Sequence, residues 1–127
     1  MTTASLPPIL LIDDDPLVLE TLKDLCESMD CRRQVLHLDT TNAFEAAADP
    51  EIGIIICDYR FPYTSGVSFI EQVRRRGIET PVLFISGAPD SEAVMKASLL
   101  PRTAFLSKPF TIDRFREAII SLLNADA

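Results

Sequence analysis

The polar residues of this chain that could carry out chemistry stand where short apolar runs end. In chain order they are Asp13, Asp14, Asp15, Asp58, Ser86 and Lys108. Clustered carboxylates repel one another and cannot all stay ionised without a compensating cation. Carboxylate oxygens, with water completing the shell, are ligands that suit Mg²⁺. The residue types therefore predict a magnesium site if the fold brings these run ends together.

Ser86 and Lys108 add a hydroxyl and an ammonium to this set. Together with a bound Mg²⁺, these two groups would form a clamp for the oxygens of a phosphoryl group. A carboxylate held beside the metal can attack phosphorus and become an aspartyl phosphate. The set as a whole predicts magnesium-dependent phosphoryl transfer to an aspartate.

Five apolar runs are candidates for the strands that position these groups. They cover residues 9–12, 35–38, 52–57, 82–85 and 104–106. The first, third and fourth runs are continuous rather than alternating, which is typical of parallel strands covered on both faces. In an open parallel sheet, ligands bind at the carboxyl ends of the strands, where the polar residues stand here.

Segments with helical spacing of apolar residues separate the five runs. Asp15 and Pro16 supply an N-cap and a first helical residue for the first helix, and Thr111 is a cap candidate for the last. The apolar positions, helix by helix, are Val18, Leu22, Leu25 and Met29; Phe44, Ala47 and Ala48; Phe69, Ile70 and Val73; a weaker set in 90–100; and Phe115, Ala118, Ile119, Leu122 and Leu123. Strictly alternating strands and helices predict an α/β fold with helices on both faces of a mostly parallel sheet.

Composition limits the classes of protein to which this chain can belong. The length of 127 residues suits one domain over residues 1–127. The formal net charge of −7 argues against direct nucleic-acid binding. No apolar run has the length of a membrane span, and no signal peptide is visible. Three cysteines without a metal-binding spacing favour reduced thiols. We therefore expect a cytoplasmic protein that does not contact membranes.

Four short motifs, in order along the chain, carry a family resemblance. They are Ile12-Asp13-Asp14, then Cys57-Asp58-Tyr59-Arg60-Phe61-Pro62 with Gly66 eight residues after Asp58, then Ile85-Ser86-Gly87, and finally Lys108-Pro109-Phe110. In this the sequence resembles the response-regulator receiver domain of two-component signalling, in its single-domain, chemotaxis-regulator-like form. The resemblance covers nearly the whole chain. It implies a flavodoxin-like, doubly wound (βα)5 fold with a five-stranded parallel sheet in the order 2-1-3-4-5.

The resemblance also implies a role for each site residue. Asp58 would accept the phosphoryl group, while Ser86 and Lys108 would hold its oxygens. Mg²⁺ would be bound by Asp14 directly, by Asp13 through water, by Asp58, and by the backbone carbonyl of Arg60. The switch residues would be Ser86, Phe105, which would turn inward as Ser86 moves, and Pro109, joined to Lys108 by a cis peptide bond.

Arg60, Phe61 and Phe105 depart from the commonest residues of the family. Arg60 stands where the family often has Asn, and its cationic side chain could shield or contact the phosphoryl group. Phe61 in place of Met or Leu is a packing change. Phe105 in place of Tyr lacks a hydroxyl, so the switch would work through burial alone.

The implied partners are proteins. The phosphoryl donor would be a phosphohistidine on a sensor histidine kinase or a phosphotransfer protein. The phosphorylated state would be recognised by an output protein on the face made by the fourth helix, fifth strand and fifth helix, or passed on in a relay. Such a domain catalyses only its own phosphorylation and dephosphorylation, so it is not an enzyme in the usual sense.

Two other functions share part of this pattern. A haloacid-dehalogenase-like phosphatase would use Asp13 and Asp15, but Leu17 stands where that motif needs Thr or Val, and no paired acid follows Lys108. A receiver-like module that is not phosphorylated would keep the fold and lose some of the site residues, whereas this chain has them all.

Several residues have a structural interpretation that competes with a functional one. Asp15 is favoured as an N-cap over a third metal ligand, and Cys57 as a buried, inert thiol. His37 is expected to be structural and remote from the acidic edge. The arginines at 74–76 are expected to form a solvated helix end. Leu99 and the leucine after it fit either an exposed partner surface or the core.

Overall fold

The computed structural model describes residues 6–87 and 91–124, and it contains one parallel sheet of five strands. The strand order is β2-β1-β3-β4-β5, and every neighbouring pair is parallel. The strands are β1 (Ile9–Ile12), β2 (Gln34–His37), β3 (Ile54–Asp58), β4 (Val82–Ser86) and β5 (Thr103–Ser107). The sheet order implied by the family resemblance is therefore confirmed. β1 has the predicted ends, and the ends of the other strands are shifted by at most two residues.

Five helices connect and follow these strands. They are α1 (Pro16–Ser28), α2 (Ala43–Ala47), α3 (Gly66–Arg75), α4 (Ser91–Ser98) and α5 (Ile112–Asn124). The weak fourth helix was expected over 90–100, and its predicted first residue lies outside the described residues. Among the described residues, no helix is long and apolar enough to cross a membrane.

Successive residues of each central strand face opposite layers of the core. Leu10, Ile55 and Phe84 pack in one layer with residues of α2, α3 and α4, whereas Leu11 and Ile56 pack in the other with residues of α1 and α5. β1, β4 and the apolar part of β3 are fully buried. This double coverage explains why their sequences are continuous rather than alternating in hydropathy.

The first helix begins as predicted but buries a slightly different face. The Asp15 side chain accepts a hydrogen bond from the Leu17 N–H at 2.9 Å, and Pro16 is the first helical residue. The residues that α1 buries are Leu19, Leu22 and Cys26, while the predicted Val18, Leu25 and Met29 are only partly covered. The predicted residues therefore pack against the core, but apart from Leu22 they flank the most buried stripe of the helix.

Arg74 corrects the prediction of a solvated arginine cluster at the end of α3. Its guanidinium donates to the carbonyls of Ile78 at 3.1 Å and Pro101 at 2.9 Å, which ties α3 to the loop before β5. Burial lowers the pKa of Arg74. Arg76 lies over the Phe44 ring, with 4.5 Å from its guanidinium carbon to the ring centroid. Arg75 and Arg76 are exposed and fit the solvated interpretation, whereas Arg74 does not.

Candidate functional site

Three carboxylates meet at the carboxyl edge of the sheet. Asp13 and Asp14 directly follow β1, and Asp58 is the last residue of β3, which pairs with β1. One carboxylate oxygen from each lies within 4.8 Å of those of the other two. The topology therefore brings together residues that are more than forty positions apart in the sequence.

Asp13 is the most buried of the three, with 3% of its surface exposed. Burial is the main reason that its pKa rises from 3.8 to about 6, with the charges of Asp58 and Asp14 adding to the rise. A hydrogen bond from the Asp15 N–H at 2.9 Å and the charge of Lys108 act in the opposite direction. The site is thus short of positive charge at neutral pH.

Asp58 is half-buried, and its surroundings resemble those of Asp13. Burial raises its pKa, while a hydrogen bond from the Arg60 N–H, at 3.5 Å from Oδ1, and the charge of Lys108 lower it. Asp58 projects from a strand end whose backbone is fixed on both sides, since β3 pairs with β1 and β4. The carboxylate is accessible to a ligand and held in place.

The chain turns sharply after Asp58 and enters α3 at Gly66. The Gly66 N–H donates to the Tyr59 carbonyl at 2.6 Å, and the Phe61 N–H donates to the Thr64 carbonyl at 2.9 Å. A Cβ atom at position 66 would collide with the Asp58 carbonyl oxygen. Glycine at position 66 is therefore a steric requirement of this turn.

Lys108 and Ser86 complete the edge from the other side. The Lys108 ammonium lies 4.0 Å from Oδ2 of Asp13, and its backbone N–H donates to the Ser86 carbonyl at 2.8 Å. Ser86 is 2% exposed at the end of β4. The Lys108–Pro109 peptide bond is cis, as the resemblance implied. The structure thus brings all the predicted polar residues to one edge.

The donor set fits a magnesium ion. Three carboxylates converge and one ammonium stands at their margin, so the cluster has unbalanced negative charge that a divalent cation would offset. All the side-chain donors are oxygens, which suits a hard cation. Asp15 belongs to the helix cap rather than to this group, as the sequence favoured.

Contacts among Arg60, Tyr59 and Phe105, close to Asp58, were not predicted from the sequence. The Arg60 guanidinium lies over the Tyr59 ring, 5.4 Å from the ring centroid. Tyr59 also contacts Phe105 of β5, with 5.8 Å between ring centroids. Both aromatic positions were visible in the sequence, but their contact depends on the pairing of β3, β4 and β5. Phe105 itself is half-buried.

His37 corrects another expectation. It is the last residue of β2, paired with Ile12, and its carbonyl accepts a hydrogen bond from the Asp13 N–H at 3.1 Å. The prediction that it lies far from the acidic edge was wrong, since its backbone supports Asp13. Cys57 matches its predicted burial, and burial raises the pKa of its thiol well above the usual range.

Comparison with known proteins identifies the family. The response regulator receiver domain profile matches residues 9–120. This chain belongs to that family. Receiver domains are signalling domains of two-component systems rather than metabolic enzymes, and response regulators act with sensor kinases and output domains. The receiver assignment made from the four sequence motifs is thereby confirmed.

Individual relatives give the same result. The Regulator of RpoS of Escherichia coli K12 is 32% identical over 115 residues, which are 90% of this chain and 34% of the relative. The response regulator protein TmoT of Ectopseudomonas mendocina is 32% identical over 117 residues, which are 91% of this chain and 52% of the relative. The chain thus spans about a third to a half of the curated relatives it matches.

Solved structures share the fold. A response regulator receiver domain protein from Clostridium thermocellum superposes with a TM-score of 0.85 at 23% identity, covering 95% of this chain and 97% of that one. The chemotaxis protein CheY4 of Vibrio cholerae gives a TM-score of 0.83 at 20% identity, covering 94% and 100%. The flavodoxin-like, CheY-like architecture is therefore shown.

Proposed function

We propose that this receiver domain accepts a phosphoryl group on Asp58 from a phosphohistidine of a sensor kinase or a phosphotransfer protein. The observation that carries the proposal is the convergence of Asp13, Asp14 and Asp58 within 4.8 Å beside the Lys108 ammonium. An Asp58 carboxylate oxygen would attack phosphorus, forming a P–O bond as the P–N bond to the histidine ring breaks.

Each residue of the edge has a separate task in this proposal. Asp13, Asp14, Asp58 and the Arg60 carbonyl would hold Mg²⁺, and a bound Mg²⁺ would neutralise the carboxylates and stabilise charge on the phosphoryl oxygens. The Lys108 ammonium would bind one phosphoryl oxygen, and the Ser86 hydroxyl another. Asp13 and Ser86 are both almost fully buried, so the packing around them limits the movement of their side chains.

Transfer can be tested with a small phosphoryl donor. Incubation with acetyl phosphate and Mg²⁺ should add one phosphoryl group to the intact protein, seen by mass spectrometry and mapped to Asp58. Asp58→Asn should abolish the adduct. Asp15→Asn is the matched control, because it removes a neighbouring carboxylate and retains a good N-cap residue. An equal adduct in Asp58→Asn would overturn the assignment of Asp58 as the phosphoacceptor. No adduct in the wild type would leave a receiver-like module that is not phosphorylated.

We further propose that the phosphorylated state is recognised on the α4-β5-α5 face. Large apolar side chains are exposed there, with exposed fractions of 64% for Met95 on the α4 side and 41% for Ile112 on the α5 side. Movement of Ser86 toward a phosphoryl oxygen would open space that Phe105 can enter. This output contact would be made with a protein, without direct nucleic-acid or membrane contact. Three free, buried cysteines favour a cytoplasmic setting.

A further inference from the structure

A tyrosine hydroxyl joins two loops at the edge of the sheet. Tyr63 lies between Asp58 and the start of α3, and its hydroxyl oxygen accepts a hydrogen bond from the backbone N–H of Thr40 at 2.9 Å. The same oxygen lies 3.3 Å from the Thr40 hydroxyl. Thr40, in the loop between β2 and α2, is only 7% exposed. Tyr63 itself is 57% exposed, so this part-buried bond lies at the protein surface and contributes as an ordinary hydrogen bond.

The segment 59–65, here called the phosphoacceptor loop, has a second anchor of a different kind. Phe61 is buried in the same core layer as Ala43 and Ala47 of α2. The Phe61 and Tyr63 ring centroids are 6.2 Å apart. Apolar burial is non-directional and fixes where the loop sits. The hydrogen bond of Tyr63 is directional, so it also restricts how the loop is turned.

Arg60 lies in the part of the loop that these anchors restrain. It forms a backbone bridge with Ser65, and its N–H donates to Oδ1 of Asp58 at 3.5 Å. A rotation of the loop would therefore move the Arg60 carbonyl and loosen the hydrogen bond to Asp58. Both groups belong to the proposed magnesium site.

We propose that Tyr63 is a positioning residue for this magnesium site, acting through its hydrogen bond to the Thr40 backbone. Tyr63 touches neither the metal nor the phosphoryl group; it holds the loop that presents Arg60 and Asp58. The inference rests on the proposed function, because it assigns a supporting role in the site which that function requires.

Tyr63→Phe isolates the hydroxyl, since it leaves the ring and its packing on Phe61 unchanged. We expect the Mg²⁺ dissociation constant, measured by calorimetry, to rise about three- to tenfold. This is less than the roughly 10–100-fold effect of groups bonded directly to a metal ligand, because Tyr63 acts through the loop. Amide hydrogen exchange within 59–65 should become faster in the metal-free protein. Thr40→Val is the matched control. It keeps the N–H donor and loses only the 3.3 Å contact, so its affinity should stay within about twofold of the wild type.

The outcomes separate this role from simple stabilisation. A lower melting temperature of Tyr63→Phe with unchanged Mg²⁺ affinity, measured where both proteins are folded, would overturn the positioning role and leave phosphorylation of Asp58 standing. Equal losses of affinity in Tyr63→Phe and Thr40→Val would also overturn it, because the N–H bond would then not be the determinant. If the wild type binds no Mg²⁺, the proposed function fails, and the positioning role fails with it.

Discussion

The Tyr59 ring lies against the Phe105 ring, with 5.8 Å between centroids and 54° between ring planes. Tyr59 follows the proposed phosphoacceptor directly, and Phe105 lies on β5, at the proposed output face. Tyr59 is 8% exposed, so its ring cannot move without displacing neighbours. The contact joins the phosphoacceptor loop to the output face through one aromatic pair.

We predict that Phe105→Ala uncouples the two regions. In the wild type, the phosphoryl mimic beryllium fluoride should change amide hydrogen exchange mainly within residues 87–110, and Phe105→Ala should reduce those changes by at least half. The reason is that an aromatic pair contributes about 0.5–1.5 kcal/mol beyond area burial, an amount able to bias a two-state element.

Phe44→Ala is the control for this experiment, because Phe44 packs on Phe69 with 4.8 Å between centroids and makes its aromatic contacts away from β5. It should leave the response in 87–110 intact. Exchange changes that lie in α1 and β2 instead, or that persist undiminished in Phe105→Ala, would mean that the switch is built differently.

Neutralising one member of the carboxylate cluster should stabilise the metal-free protein. In EDTA, Asp58→Asn and Asp14→Asn each remove repulsion, so we expect a gain of about 1 kcal/mol in the free energy of unfolding, or about 4 °C in melting temperature. Both variants should gain less from Mg²⁺ than the wild type, which gains about 2.7 kcal/mol at 100 times its dissociation constant. Glu20→Gln serves as the control, because it neutralises an exposed carboxylate on α1 outside the cluster. Lower stability of both variants in EDTA would contradict the repulsion argument.

The raised pKa of Asp13 predicts how stability depends on pH in EDTA. The native state holds this proton up to about pH 6, whereas the unfolded chain releases it near 3.8. Between these two values Asp13 binds more protons in the folded than in the unfolded state. Its contribution to the free energy of unfolding is therefore present below pH 4 and is lost as the pH rises through 6. The loss is on the order of 2–3 kcal/mol.

Urea unfolding at pH 4.5 and pH 7 would measure this dependence. Because other carboxylates titrate in the same range, the quantity to compare is the difference between the wild type and Asp13→Asn. That difference should shift in favour of Asn as the pH rises. A difference independent of pH would show that Asp13 titrates normally.

Gly66→Ala should damage the site strongly, although it adds only one methyl group. The added methyl would press on the Asp58 carbonyl, which is backbone and cannot rotate away. We expect a loss of about 2–3 kcal/mol in stability and a large fall in phosphorylation rate by acetyl phosphate.

Gly77→Ala is the comparison for this variant, because its φ of +81° is strained for alanine. Among the described residues other than its chain neighbours, no atom lies within 4 Å of the added carbon. It should cost about 1 kcal/mol and leave phosphorylation unchanged. Equal phosphorylation rates in Gly66→Ala and the wild type would contradict the steric argument.

The sequence alone determined the order of elements and the edge at which the polar residues gather. Continuous apolar runs report strands that are covered on both faces, and the residue after each run must lie at the carboxyl edge of a parallel sheet. Asp13, Asp58, Ser86 and Lys108 could be placed together for that reason. The caps at Asp15 and Thr111 were also readable, because capping depends on neighbours within three residues.

Only the tertiary structure decided which side chains touch across separate elements. Three contacts join segments more than twenty residues apart: Tyr59 with Phe105, the Arg74 bond to Pro101, and the Tyr63 bond to Thr40. The spacing of apolar residues shows whether each element is a helix or a strand. It does not show how the element is rotated about its axis or which path the connecting loops take. The rotations and loop paths are fixed when the two core layers pack. That packing brings together side chains that are distant in the sequence, and no local sequence pattern reports such contacts.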